Sequence, residues 1–191
     1  MMRIENMISL IFHPSVSTSL GFIVIYAVCC HDLLDLVITL TFFSFFPFLL
    51  TLILLKLGKV SDLLVTKREE RGLLILLSFI GYLAAVLILY LTGVNLFLYI
   101  SILYIINTLL IFLITLVYKI SIHISVLSGV ATTLTLLFGI NFAFLYIVTV
   151  IVAWARVKAK EHTLSQVLSA LILFSVLTFL EIKFFLGAFM V

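Results

Sequence analysis

The sequence predicts an all-α, polytopic transmembrane bundle of about six or seven helices. Three observations carry that expectation. The chain is 65% hydrophobic, with a mean hydropathy of +1.46. Only 10% of its residues are charged, against about 25% in soluble domains. No formally charged residue occurs from Gly72 to Tyr118 or from Ile120 to Ala155. One span needs about 20 apolar residues, so each of these runs holds about two. A globule of 191 residues could not bury so much apolar surface.

Each element follows from the punctuation of the chain. Met1 to Leu10 lack the basic start, apolar stretch and small-residue cleavage site of a signal peptide. His13-Pro14 precedes a first helix from Thr18 to His31, and Asp32 to Asp35 form the first turn. A second helix covers Leu36 to Leu57, followed by a polar loop from Gly58 to Arg71. The third helix, Gly72 to Thr92, ends at Gly93-Val94-Asn95, and the fourth runs from Leu96 to Tyr118. A short loop from Lys119 to His123 leads into a fifth helix that ends near Gly139. Asn141 turns it into a sixth, ending near Arg156, and a seventh covers Thr163 to Phe185. The first and fifth are short, so six spans or a re-entrant first segment are the alternatives to seven. Adjacent Cys29 and Cys30 read as lipid-facing or core residues, not a pair. The chain reads as one transmembrane domain, 1–191.

This threading puts the N-terminus and the loops at 58–71, 119–123 and 156–163 on one side. Of the eleven Lys and Arg residues, only Lys183 leans to the other side. The positive-inside bias therefore predicts a multi-pass cell-membrane protein whose basic loops are cytoplasmic. Much of that basic face would touch anionic headgroups.

Two fragments stand apart from the lipid pattern. Lys119-Ile-Ser121-Ile-His123 and Ala155-Arg156, five residues, His162, three residues, Gln166 each lie where an apolar run stops. The 58–71 loop adds Lys67, Arg68 and Arg71. Antiparallel helices joined by short turns are neighbours, so the three junctions are expected to converge on one pocket. Arginine forks suit a phosphoryl group whose charge is spread over three oxygens. A neutral imidazole can attack phosphorus while a second histidine protonates the leaving alkoxide. His13 and His31 read instead as interface histidines. No H-E-x-x-H motif or carboxylate and cysteine cluster accompanies the pair, so no metal site is expected.

These fragments resemble the membrane branch of the type 2 phosphatidic acid phosphatase superfamily. Its signatures are K-x6-R-P, P-S-G-H and S-R-x5-H-x3-D. The third is met by Ala155-Arg156-x5-His162-x3-Gln166, and the second by Ile120-Ser121-Ile122-His123 after Lys119. The first is degenerate between Lys59 and Gly72. The resemblance covers residues 56–180 and implies a lipid phosphatase core. It implies that His162 is the nucleophile, His123 the general acid and Gln166 the residue that orients His162. Arg156, Ser121, Lys119, Arg71, Arg68 and Lys67 would bind phosphate. It implies an amphiphilic lipid phosphate or isoprenyl (di)phosphate as substrate, with no cofactor and no nucleic acid. Nothing in the sequence indicates an oligomer.

Three departures bear on catalysis. Gln166 replaces the family aspartate; its amide can accept a hydrogen bond from the ring but cannot offset imidazolium charge. Ala155 and Ile120 replace polar or rigid residues. The alternative function is a non-catalytic lipid-phosphate-binding protein or small transporter on the same bundle. A polyprenyl-handling transferase is disfavoured by the lack of D-x-x-x-D motifs for magnesium diphosphate.

Overall fold

The computed structural model describes residues 3–29 and 32–187, with side chains through residue 185. Cys30 and His31 lie outside the described residues. The fold is all-α. Among the described residues, five helical segments are long and apolar enough to cross a bilayer: Leu33–Lys56, Arg68–Thr92, Leu96–Val117, Ile140–Lys158 and Leu164–Phe185. Ile4–Ile11 and Pro14–Cys29 form a broken pair that brings the number to six if counted as one span. Ile122–Phe138 is shorter, with 17 residues. At 1.5 Å per residue it extends about 25 Å, short of the roughly 30 Å hydrocarbon core. The chain is thus a multi-pass membrane protein. The seven apolar segments read from the sequence are helical where described, but by length and composition the first and fifth do not count as single unbroken spans.

The chain divides into two compact units, Met1–Ser17 with Lys119–Val191, and Thr18–Tyr118. We number the helices α1 (Ile4–Ile11), α2 (Pro14–Cys29), α3 (Leu33–Thr39), α4 (Phe46–Lys56), α5 (Arg68–Thr92), α6 (Leu96–Val117), α7 (Ile122–Phe138), α8 (Leu145–Lys158) and α9 (Leu164–Gly187).

The Thr18–Tyr118 unit is an aromatic-cored scaffold. Phe22 stacks on Phe97, and Phe43 stacks on Tyr82 with ring centroids 4.7 Å apart. Tyr104 meets both Phe43 and Tyr82 edge-on, and its hydroxyl lies 3.1 Å from the Thr18 hydroxyl. Between α3 and α4 the helix widens into a π-turn over Leu40–Phe45. Pro47 accounts for it: proline has no N–H to offer, and its ring crowds the carbonyl four residues back, that of Phe43. The expected turn at Asp32 to Asp35 is mostly helix. Asp32 is the N-cap, accepting from the Leu34 N–H at 3.0 Å, and Asp35 already belongs to α3. Asp35 is buried and accepts from the Asn95 amide at 2.7 Å, while Asn95 Oδ1 caps α6 through the Leu98 N–H.

The expected loop at 58–71 is also shorter than read, because α5 begins at Arg68. Two acids in the first helical turn, Glu69 and Glu70, suit the positive end of the helix dipole.

The other unit pairs α7 with α9, and α8 packs against α1 and α7. α7 stops at Gly139, whose φ of 99° favours a residue without a Cβ. A 3-10 turn over Ile140–Phe144 then starts α8. α1 was not anticipated as a helix. It turns Glu5 and Ser9 inward and leaves Ile4, Met7 and Ile11 exposed, the inverse of a soluble amphipathic helix.

Candidate functional site

Two local motifs account for the spacing from Arg156 to Gln166. α8 ends in a Schellman motif. The Lys160 N–H donates to the Val157 carbonyl at 3.0 Å, and the Glu161 N–H donates to the Arg156 carbonyl at 3.1 Å. Lys160 occupies the left-handed position, with φ 60°. The His162 N–H also donates to the Arg156 carbonyl, at 3.3 Å. Five intervening residues are therefore what the turn needs to fold His162 back onto the end of the helix that carries Arg156.

The next four residues, Thr163 to Gln166, form a capping box at the start of α9. Thr163 Oγ1 accepts from the Gln166 N–H at 3.3 Å, and Gln166 Oε1 accepts from the Thr163 N–H at 3.2 Å. The same Oε1 lies 3.1 Å from His162 Nδ1. A backbone N–H can only donate, so Oε1 is the acceptor oxygen and His162 Nδ1 must carry a proton. In the neutral ring, Nε2 then holds the lone pair. Gln166 thus caps α9 and fixes the His162 tautomer with one oxygen atom.

Ser121 is the N-cap residue of α7 by backbone conformation, yet its side chain makes no capping bond. Its hydroxyl is fully buried and has no hydrogen-bond partner among the described residues. Lys119 is half-buried two positions earlier. His123, in the first turn of α7, is 4% exposed and donates from Nε2 to the Ser9 carbonyl of α1 at 3.2 Å. A carbonyl oxygen only accepts, so this tautomer is fixed as well. Arg156, His13 and His162 each act on the His123 ring electrostatically. Arg156 is 1% exposed, the largest fully buried side chain among the described residues. Ser121, His123, Arg156, His162 and Gln166 thus belong to one unit, with His162 also buried.

Lys67, Arg68 and Arg71 belong to the Thr18–Tyr118 unit. Arg71 is buried, donating from Nε to the Val65 carbonyl at 2.8 Å and from Nη2 to the Thr66 carbonyl at 3.3 Å. Arg68 donates to the Leu116 carbonyl at 3.3 Å and lies 3.6 Å from Glu69. Lys67 pairs with Glu70 at 3.2 Å.

The residue that sequence reasoning missed is His13. Its ring meets His123 edge-on, with centroids 5.9 Å apart. A signal was present in the sequence: Glu5, Ser9 and His13 recur every four residues, a polar stripe in an apolar segment. Among the described residues, no group of three or more His, Cys, Asp and Glu side chains is placed to hold a metal ion.

Known family models, curated proteins and solved structures offer no match to this chain. The resemblance to the lipid phosphatases therefore rests on the motif residues alone.

Proposed function

We propose that this membrane protein transfers the phosphoryl group of an amphiphilic lipid phosphate, an isoprenyl or phosphatidate-type ester, to water through a phosphohistidine on His162. The observation that carries this reading is the hydrogen bond from His162 Nδ1 to Gln166 Oε1, which assigns the lone pair to Nε2. A nucleophilic imidazole needs that tautomer. His162 Nε2 forms the P–N bond as the P–O bond to the lipid breaks. The monoanionic phosphate ester gives its proton to His123 Nδ1 on binding, and the departing alkoxide takes that proton. Because His123 Nε2–H is engaged by the Ser9 carbonyl, Nδ1 is the nitrogen that exchanges that proton. Water then attacks phosphorus as the P–N bond to His162 breaks, its proton passing through His123 Nδ1 to the released phosphate. Arg156 opposes the charge on the equatorial oxygens, and the buried Ser121 hydroxyl supplies a further donor. Lys119 would steer the anionic headgroup toward a cytoplasmic mouth.

Purified protein incubated with lipid phosphates labelled in the phosphoryl group tests this. An acid-labile, base-stable phosphoprotein and phosphate release are expected, both lost in His162→Asn. Phosphate release that survives in His162→Asn would remove the proposal. One observation favours a second reading, lipid-phosphate binding without turnover: the partner of His162 is a neutral amide that also serves as a helix cap. Saturable binding with no phosphoprotein would select it.

A further inference from the structure

The strongest unassigned feature is the polar stripe of α1 that ends at His13. The local sequence fixes this residue. Pro14 is the first residue of α2, a position where its missing N–H costs nothing. The residue before a proline is kept out of helical conformation, so α1 cannot run on into α2, and the break falls at Phe12-His13. The His13 ring then caps the new helix, with Nδ1 accepting from the Ser15 N–H at 3.3 Å. That bond pins the ring, and the pinned ring stands edge-on to His123. One turn before the break, the Ser9 carbonyl takes the His123 Nε2–H. The Ser9 hydroxyl in turn donates to the Glu5 carbonyl at 2.9 Å.

We infer that His13 is a positioning residue: with the Ser9 carbonyl it holds the His123 ring in one orientation and one tautomer, so that Nδ1 exchanges protons with the substrate. A 180° flip of the His123 ring would give up the Ser9 bond, and a rotation out of its plane would break the edge-on contact with His13. The inference rests on the proposed phosphoryl transfer for its catalytic meaning, but not for its geometry. It assigns the N-terminal helix, outside the stretch that resembles a phosphatase core, to the site.

The test uses the full chain in nanodiscs. Imidazole 15N resonances report the His123 tautomer without any turnover. The wild type is expected to show His123 protonated at Nε2 alone, and His13→Ala a mixture of tautomers. His13→Phe keeps a ring edge but no titratable group, and is expected to restore the single tautomer. In turnover, His13→Ala is expected to lower kcat about tenfold with KM changed less than about twofold, and His13→Phe to recover most of that loss. A wild-type His123 protonated at Nδ1 would overturn the inference. So would a single tautomer and full kcat in His13→Ala, or a His13→Phe as impaired as His13→Ala. If His13→Ala does not fold, the wild-type tautomer and the His13→Phe variant still decide. If the wild type releases no phosphate, that failure belongs to the proposed reaction, and the tautomer measurement stands by itself.

Discussion

Two basic segments of this chain look alike in sequence and differ in what their arginines do. Around 58–71, charge is consumed locally. Asp62 accepts from the Leu64 and Thr66 N–H groups and from the Thr66 hydroxyl, and Glu70 accepts from the Ser61 N–H and hydroxyl. Arg71 ties down the carbonyls of Val65 and Thr66. That tie supports a β-branched residue at φ 45°, a conformation valine rarely adopts. Around 156–166, the hydrogen bonds of the backbone build the turn, and the arginine side chain is buried in a unit with three histidines. The first segment is a loop clamp, with Arg68 reaching the Leu116 carbonyl of α6. The second aims ionisable side chains inward, where lipid alone gives them no reason to be. Position and net charge do not separate the two; the Arg71 guanidinium binds the Val65 and Thr66 carbonyls, whereas the buried Arg156 acts on the His123 ring.

The largest expected effect comes from Arg156→Lys. Lysine keeps the charge but loses the planar fork and several donors. Turnover is expected to fall by about a hundredfold or more, the scale of losing one oriented donor to a developing oxyanion. Steady-state kinetics on folded protein, confirmed by circular dichroism, measure it. Full activity in Arg156→Lys would erase the contrast between the two segments.

Much of the fold was legible because apolar run length is a direct consequence of bilayer thickness. Every long charge-free run became one or two helices. Element ends were less legible. Arg68-Glu-Glu-Arg71 reads as loop by polarity but is the first turn of α5, and the widened turn before Pro47 leaves no mark on hydropathy. The site divides in the same way. The spacing among Arg156, His162 and Gln166 is local, set by a helix end and a capping box, and could be read from the chain. The contacts of His13 and Ser9 with His123 span more than a hundred residues, and no single-sequence pattern specifies such a pairing.

Asp62→Ala sharpens the comparison from the other side. Losing the acceptor of three hydrogen bonds in a half-buried loop is expected to cost about 1–3 kcal/mol of stability. Activity per folded molecule is expected to hold. Thermal denaturation in detergent, followed by activity on the folded fraction, reads both. A collapse of kcat with the melting curve unchanged would make this loop part of the chemistry.

Gln166→Asp is expected to have a smaller and favourable effect. A carboxylate can still accept from the Thr163 N–H and the His162 Nδ1–H, and it stabilises the ring as positive charge develops. Turnover is expected to be unchanged or to rise by up to about tenfold. A large fall with the fold intact would reduce Gln166 to a helix cap and favour the binding-only reading.

The smallest perturbation tests sidedness, since exposed cysteines at Lys67 and Lys158 should leave stability almost unchanged. Both lysines are exposed. Lys67 pairs with Glu70, and Lys158 lies 4.6 Å from the centre of the Trp154 ring. Surface contacts of these kinds are worth at most about 1 kcal/mol. In a Cys29→Ser, Cys30→Ser background, Lys67→Cys and Lys158→Cys would be treated with a membrane-impermeant thiol reagent, in intact cells and after lysis. The excess of Lys and Arg on these loops predicts labelling only after lysis at both positions. Labelling of both in intact cells would turn the mouth to the outer leaflet and move the substrate to a lipid phosphate presented there. Labelling of one alone would separate the loop clamp from the histidine site across the membrane. That outcome would rule out the phosphate-binding role that the sequence resemblance gives Arg71, Arg68 and Lys67, leaving Arg156 and the Ser121 hydroxyl to bind it.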